Sequence, residues 1–174
     1  MEKILTSIDG LYLIKLDIFH DERGFFLEKY NEDKFQQIGI EEKFVQDNHS
    51  RSNKYVIRGL HAQGSQGKLI GVANGSIYDV AVDIRQNSPT HGKYFGAELS
   101  AENGLLLWIP SGFLHGFQVQ SEVADVIYKV TDFYNPNTQF GVNPFDSQIA
   151  INWPDKENAI LNSRDKESPN LKEL

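Results

Sequence analysis

Two histidines, His61 and His115, stand where they could carry chemistry. His61 ends the apolar run "VIRGLH", with Arg58 three residues before it and Lys68 seven residues after it. A histidine in this position can bind a metal, accept a proton, or serve only as a hydrogen-bonded structural residue. Metal binding is disfavoured, because Gln63 is a poor ligand and two histidines fall short of the three protein ligands of a usual catalytic metal site.

The charge and composition of the chain restrict its partners. The 174 residues include 17 Lys and Arg against 24 Asp and Glu, which gives a formal net charge of -7. Such a chain would be repelled by a polyphosphate backbone, so we expect no nucleic-acid partner. It has no cysteine, which excludes disulfides, thiolate metal sites and cysteine nucleophiles.

The N-terminal sequence predicts a cytoplasmic protein. The first ten residues, "MEKILTSIDG", are charged from the second position, and no apolar run approaches the ~20 residues of a membrane-spanning helix. We therefore expect neither a signal peptide nor a membrane partner.

Strand patterns dominate the elements that must position these residues. The stretch "LYLIKLDIF" at 11–19 alternates apolar and polar residues in its second half, and two β-rich runs flank Asn74-Gly75. A second Asn-Gly pair, Asn103-Gly104, lies between two further runs. Because Asn-Gly between such runs is the strongest short hairpin signal, both pairs predict β-hairpins.

One helix interrupts the strands. It is predicted over residues 32–38, with Asn31 as N-cap and Gly39 just beyond its end. About ten strands with one short helix near the N-terminal third predict an all-β sandwich or barrel. We expect residues 1–174 to form a single domain whose polar C-terminal tail, from Trp153 onward, contains turns and a short helix at most.

The phrase "PSGFLHGF" at 110–117 has the Pro-x-Gly-x-x-His form of the second motif of cupins, which are small β jelly-roll barrels. Ten phrases along the chain then resemble, in order and at similar spacing, those of the dTDP-4-dehydrorhamnose 3,5-epimerases. They are "DERGFFLEKYN" at 21–31, "FVQDNHSRS" at 44–52, "RGLHAQ" at 58–63, "QGKL" at 66–69, "VAVDIRQNSPT" at 80–90, "LSAEN" at 99–103, "LWIPSGFLHGF" at 107–117, "YKVTDFYNP" at 128–136, "INWP" at 151–154 and "ILNSRD" at 160–165.

The resemblance implies an isomerase: a cupin homodimer, without metal or cofactor, that inverts C3, C5 or both in a dTDP-4-keto-6-deoxyhexose for deoxysugar biosynthesis. Inversion beside a ketone needs a base on one face, charge stabilisation at the ketone oxygen and an acid on the other face. A histidine fits the base, because it is mostly neutral near pH 7. The resemblance assigns the base to His61, its carboxylate partner to Asp165, the ketone contact to Lys68 and the acid to Tyr128.

The same resemblance implies the residues that contact the nucleotide and the sugar. Arginine suits the diphosphate because its planar guanidinium donates two parallel hydrogen bonds, and Tyr134 is suited to stacking on the pyrimidine. Exchange of N-terminal strands is expected to bring part of each site from the partner subunit. The implied binding residues are Arg23, Glu28, Gln46, Asn48, Arg58, His115 and Tyr134.

Departures from the family pattern leave the exact reaction open. The segment between His61 and Lys68 is shorter than the usual form, and Gly71 stands where an arginine is usual. One alternative is a mono-epimerase that acts on another nucleotide-linked ketosugar. A metal-dependent cupin is disfavoured by Gln63, and a non-catalytic sugar-nucleotide binder is disfavoured because the base and the acid are both present.

Overall fold

Antiparallel strands are the main regular elements of the computed structural model, which describes residues 1–173. The strands are β1 (Glu2–Leu5), β2 (Tyr12–Lys15), β3 (Ile18–Asp21), β4 (Gly24–Leu27), β5 (Gln46–Asn53), β6 (Ile57–Gln63), β7 (Lys68–Asn74), β8 (Ser76–Asp83), β9 (Tyr94–Ser100), β10 (Leu105–Ile109), β11 (Phe113–Val119), β12 (Val123–Val130) and β13 (Gln139–Gly141). Two short helices, α1 (Glu32–Gln37) and α2 (Ser163–Lys166), and a 3₁₀ turn (Leu171–Glu173) complete the elements.

Eleven of the strands form two sheets that pack face to face, and β3 and β4 form a separate hairpin. The first sheet has the order β1-β2-β10-β7-β12-β5, and the second has the order β13-β6-β11-β8-β9. Successive side chains of a strand point to opposite faces, so alternate apolar residues of both sheets meet in one core; Ile70, Phe117 and Val126 belong to it. This arrangement is the cupin-type jelly roll that the sequence predicted.

The two Asn-Gly turns correct the sequence prediction. Gly75 and Gly104 do have positive φ angles, 76° and 61°, as turns of this kind require. However, β7 and β8 belong to different sheets, as do β9 and β10. Both turns therefore lead the chain from one sheet to the other, and the predicted hairpins are wrong because each strand pairs with more distant strands.

Helix α1 is confirmed where the sequence placed it. The Asn31 side chain accepts a hydrogen bond from the Lys34 N–H, as an N-cap does. Phe35 is buried in an apolar layer outside the first sheet, where it packs with Leu106 and Trp108. This layer covers the outer face of the sheet that carries β7 and β12.

The C-terminal tail contains a single four-residue helix, α2, before the final 3₁₀ turn. Its apolar residues, Trp153 and Leu161, are buried against the outer face of the second sheet. The tail therefore packs firmly, and it carries α2 to β6, where Asp165 contacts Gly59 and His61. In the described part of the chain, no helix is both long and apolar enough to cross a membrane.

Candidate active site

A cavity of about 250 Å³ opens between the two sheets. It contains all four predicted catalytic residues and five of the seven predicted binding residues. The lining residues are Gln46, Asn48, Ser50, Arg58, His61, Ala62, Gln63, Gln66, Lys68, His115, Phe117, Tyr128, Tyr134, Gln139, Asn162 and Asp165.

An irregularity in β6 directs two of these residues into the cavity. Arg58 and His61 are three positions apart, so a regular strand would point them to opposite faces. In the pairing with β11, however, His61 lies opposite His115 and Arg58 lies opposite Phe117. Three residue positions along β6 therefore correspond to only two along β11. Such a bulge changes the side-chain alternation, and both residues line the cavity.

Gly59 lies within this bulge and has a φ of 127°. A Cβ atom at this position would lie 2.5 Å from the Gly116 Cα and 2.8 Å from the His115 carbonyl oxygen. Only glycine allows β6 and β11 to approach this closely. The bulge that presents Arg58 and His61 therefore requires the Gly59 of the "RGLH" phrase.

His61 is held by a buried carboxylate. Its Nε2 lies 2.8 Å from Asp165 Oδ1, and the second Asp165 oxygen accepts a hydrogen bond from the Gly59 N–H at 3.2 Å. Burial raises the pKa of the Asp165 carboxyl, but the hydrogen bond and charge of His61 and the Gly59 N–H outweigh it, so the pKa lies below its ordinary value. In the neutral form of His61, an ionised Asp165 accepts Nε2–H, and Nδ1 is then the basic nitrogen.

Helix α2 fixes the position of Asp165. Asn162 caps this helix by accepting a hydrogen bond from the Asp165 N–H at 2.7 Å. Asp165 therefore lies in the first turn, and its side chain is buried. The pairing of His61 with a residue more than one hundred positions later is thus built by one capped helical turn.

Lys68 begins β7 on the floor of the cavity. Its Nζ donates a hydrogen bond to the His61 carbonyl oxygen at 3.2 Å, and the ammonium has two further N–H donors. Burial lowers the pKa of Lys68 to about 8, with the Asp79 charge opposing this shift. Lys68 is therefore a cation that titrates close to neutral pH.

His115 has a carboxylate partner of its own. His115 Nε2 and Asp79 Oδ1 are 2.8 Å apart and share a hydrogen bond. Asp79 is fully buried; burial raises its pKa, while His115 and Lys68 act in the opposite direction. Two histidines from adjacent strands, each bound to a different carboxylate, therefore line one cavity.

Tyr128 lies on the other sheet from His61, because β12 belongs to the first sheet and β6 to the second. Burial raises the pKa of the Tyr128 phenol, and the charge of Arg58 partly offsets the shift. The phenol is therefore protonated at neutral pH. The cavity thus has a histidine base candidate on one wall and a phenol proton donor on the opposite wall.

Two predicted binding residues lie outside this cavity. Arg23 is in the turn of the β3–β4 hairpin, where its side chain is 85% exposed and paired with Asp21. Glu28 follows the same hairpin and forms an ion pair with Lys34 at 2.8 Å. The single chain therefore does not bring Arg23 and Glu28 to its own cavity, and their role in binding stays a prediction.

Several cavity residues were not identified from the sequence. Asp79, the partner of His115, was missed although it is a charged residue in the middle of strand β8, directly before the apolar run at 80–82. Gln66, Gln139 and Asn162 also line the cavity, but they lie in a turn, in the three-residue strand β13 and at the N-cap of α2, where no sequence periodicity marks them. The charge of Asp79 inside a strand was a signal that could have found that residue, and no such signal marks the other three.

The donor set of the cavity does not suit a metal. Within residues 1–173, no group of three or more His, Asp or Glu side chains is arranged to hold one. The Nε2 atoms of His61 and His115 both bind carboxylates, and the Gln63 amide binds main-chain groups on both sides of Tyr134.

The fold and site together define a cupin-type barrel with proton-transfer groups on facing sheets. Residues 5–173 match the family model described as dTDP-4-dehydrorhamnose 3,5-epimerase. The chain belongs to this family.

Similar proteins include both activities that the sequence left open. The dTDP-4-dehydrorhamnose 3,5-epimerase of Salmonella typhimurium is 46% identical, over 97% of this chain and 94% of that protein. A Legionella pneumophila dTDP-6-deoxy-D-glucose-3,5-epimerase, crystallised with dTDP-4-keto-L-rhamnose, superposes with a TM-score of 0.96 at 46% identity, covering 99% of this chain and 94% of that one. A dTDP-4-dehydrorhamnose 3-epimerase of Streptomyces niveus is 34% identical, over 93% of this chain and 80% of that protein.

Proposed function

We propose that the chain is an epimerase that inverts C3, C5 or both in a dTDP-4-keto-6-deoxyhexose during deoxysugar biosynthesis in the cytoplasm. The observation that carries this proposal is the placement of His61, bound to Asp165, and Tyr128 on facing walls of one cavity. Inversion at carbon requires a proton acceptor on one face of the sugar and a proton donor on the other. We further propose that residues 1–174 act as one domain.

His61 removes the proton from the carbon next to the C4 ketone. With Nε2–H directed at Asp165, Nδ1 carries the free lone pair and takes the proton. The resulting imidazolium is stabilised by the ionised Asp165 carboxylate, which also fixes the ring orientation. The electron pair of the broken C–H bond forms a double bond to C4 of the sugar, which gives an enolate with negative charge on the C4 oxygen.

Lys68 stabilises this charge. It lines the cavity with His61, and its ammonium has N–H groups in addition to the one bound to the His61 carbonyl. A cation in a partly desolvated cavity stabilises a developing oxyanion more strongly than it would in water. Substrate and product are isomers, so the reaction consumes no net oxidant or reductant.

Tyr128 returns a proton from the opposite face. Its phenol is protonated because burial raises its pKa, so it can donate to the enolate carbon and invert it. Solvent then reprotonates Tyr128 and accepts the proton held by His61. The sugar regains its ketone with the opposite configuration at that carbon.

The outer part of the cavity suits the nucleotide. Arg58 extends from the bulge, its Nε donating to Ser52 Oγ at 2.8 Å, and its guanidinium suits a diphosphate oxygen. Gln46 and Asn48 are hydrogen bonded to each other at 2.8 Å. Tyr134 lies at the mouth with 55% of its surface exposed, as expected of a ring that stacks on a pyrimidine.

We also propose that the active unit is a homodimer. The β3–β4 hairpin pairs with neither sheet, and two strands alone are only marginally stable in water. It exposes the large apolar residues Phe19, Phe25 and Phe26. We propose that a second copy covers these phenylalanines and that its cavity receives Arg23, which is exposed on the same hairpin.

Deuterium incorporation tests the proposed reaction. The protein is incubated with dTDP-4-keto-6-deoxyglucose in deuterated water and followed by NMR. Entry at C3 and C5 is expected of a double epimerase, and entry at one carbon identifies a mono-epimerase. A folded protein that introduces no deuterium would contradict the proposal.

A further inference from the structure

Three glutamine side chains hold the main chain of residues 132–135, which we call the mouth segment. This segment follows β12 and crosses the entrance of the cavity. Gln46 Oε1 accepts from the Tyr134 N–H at 3.1 Å, and Gln66 Nε2 donates to the Asp132 carbonyl at 2.8 Å. The third side chain, Gln63, makes the remaining two bonds.

Gln63 binds the main chain on both sides of Tyr134. Its Nε2 donates to the Phe133 carbonyl at 2.7 Å, and its Oε1 accepts from the Asn135 N–H at 2.9 Å. A primary amide is suited to this task because one planar group carries both a donor and an acceptor. Gln63 is buried at the end of β6, two residues beyond His61.

The mouth segment has little packing of its own. The side chains of Phe133 and Tyr134 are largely exposed, so burial of apolar surface contributes little to their order. The Tyr134 hydroxyl makes only a long hydrogen bond, 3.3 Å, to Gln139 Oε1. The position of the Tyr134 ring is therefore set mainly through its main chain.

We propose that Gln63 is a positioning residue that sets the affinity for the nucleotide by fixing the Tyr134 ring at the cavity mouth through paired hydrogen bonds to Phe133 and Asn135. This inference rests on the proposed function, since it takes the nucleotide as the group at the mouth. A ring held in place before binding loses less conformational entropy when a base stacks on it. Loss of Gln63 should therefore weaken binding without changing the proton transfers.

Gln63→Met tests this role, because methionine fills similar volume but removes both hydrogen bonds. We expect the Kd of dTDP, measured by calorimetry, and the KM of the dTDP-ketosugar to rise about tenfold, with kcat changed less than about threefold. Gln63→Glu is the substitute should the methionine variant not fold, since it is isosteric. Unchanged Kd and KM, or a fall confined to kcat, would overturn the proposal.

Gln118 provides a matched control. It is also buried and makes a similar pair of main-chain hydrogen bonds, donating to the Asp155 carbonyl at 2.6 Å and accepting from the Asp155 N–H at 3.0 Å. Gln118 is not among the cavity residues. Gln118→Met should lower the Tm as Gln63→Met does, but leave the Kd of dTDP unchanged; an equal rise in Kd would show that both act through general stability.

A double-mutant cycle tests whether Gln63 acts through Tyr134. Tyr134→Ala alone should raise the Kd of dTDP about tenfold or more, and adding Gln63→Met should raise it less than twofold further. Additive effects would show that Gln63 does not act through the ring. Because dTDP binding is measured without turnover, a wild-type protein that binds dTDP but introduces no deuterium rejects the proposed function separately.

Discussion

His61 and His115 lie directly opposite one another on the neighbouring antiparallel strands β6 and β11. Each binds a different carboxylate through Nε2, His61 with Asp165 and His115 with Asp79. The two rings differ in access, since the His61 side chain is 25% exposed and the His115 side chain is 10% exposed. The pair therefore offers a direct comparison of two similar groups in one cavity, of which we propose only His61 as the base.

His61→Asn should abolish exchange of substrate hydrogen with deuterated solvent, a loss of roughly 10²–10⁴-fold or more for a positioned base. His115→Asn is the matched control, because it removes the neighbouring imidazole but leaves Nδ1 of His61 in place. We expect His115→Asn to slow exchange while keeping it measurable by NMR. Exchange that survives in His61→Asn and disappears in His115→Asn would transfer the base to His115.

Asp165→Asn should reduce turnover by roughly 10²–10⁴-fold, because an amide no longer fixes the His61 tautomer or stabilises its imidazolium. The pKa of Asp165 is lowered in the folded protein. Its ionisation therefore contributes stability that is present above the unfolded pKa of about 4 and is lost as pH falls through the folded value.

The difference in Tm between wild type and Asp165→Asn should therefore be largest near neutral pH and shrink as pH falls below about 4. Thermal unfolding across this range measures it. A difference in Tm that stays constant with pH would contradict an ionised, paired Asp165.

The all-β class and helix α1 could be predicted from the sequence because alternating apolar residues and a short capped helix are local patterns. The pairing of strands was not local. Asn74-Gly75 and Asn103-Gly104 turn as predicted, yet the strands that they join lie in different sheets. Turn chemistry fixes the direction of the chain over a few residues, whereas the partner of each strand depends on the whole core.

In the functional site, too, some features could be predicted from local sequence and others depend on the whole fold. His61, Lys68 and Tyr128 could be found because each lies in a phrase of the family, while the bulge that turns Arg58 toward the cavity appears only in the register of β6 against β11. Asp165 could be assigned by resemblance, but the capped turn that brings it to His61 depends on tail packing around Trp153 and Leu161.

Activity should decline on the alkaline side as Lys68 loses its charge. Because burial lowers the pKa of Lys68 to about 8, kcat/KM should fall about tenfold per pH unit above that value. Lys68→Arg retains a positive charge at any of these pH values. Lys68→Arg should have a lower kcat/KM than the wild type, but its kcat/KM should stay constant from pH 8 to 10 when product in quenched samples is measured by NMR. If kcat/KM of this variant still declines as in the wild type, another group is responsible for the titration.

Tyr128→Phe should separate proton removal from inversion. The ring still packs between the sheets, but the donor on the face opposite His61 is lost. Deuterium should continue to enter the substrate, because the enolate can be quenched from the side on which it formed, whereas epimerised product should fall by roughly 10²-fold or more. Inversion at the wild-type rate would show that another group supplies the second proton.

Mixed dimers should show whether Arg23 serves the cavity of the other subunit. We expect Arg23→Ala and His61→Asn homodimers each to be impaired, the first because a guanidinium contact to the diphosphate is lost. The two variants are co-expressed with different tags, and the mixed dimer is purified through both. If Arg23 acts across the interface, one cavity of that dimer combines an intact His61 with the partner's Arg23, so about half of the wild-type activity should return. If Arg23 acts within its own chain, or the protein is a monomer by light scattering, no site is restored and activity cannot exceed that of Arg23→Ala. The wild type mixed with His61→Asn is the control, because it retains one intact site under either arrangement.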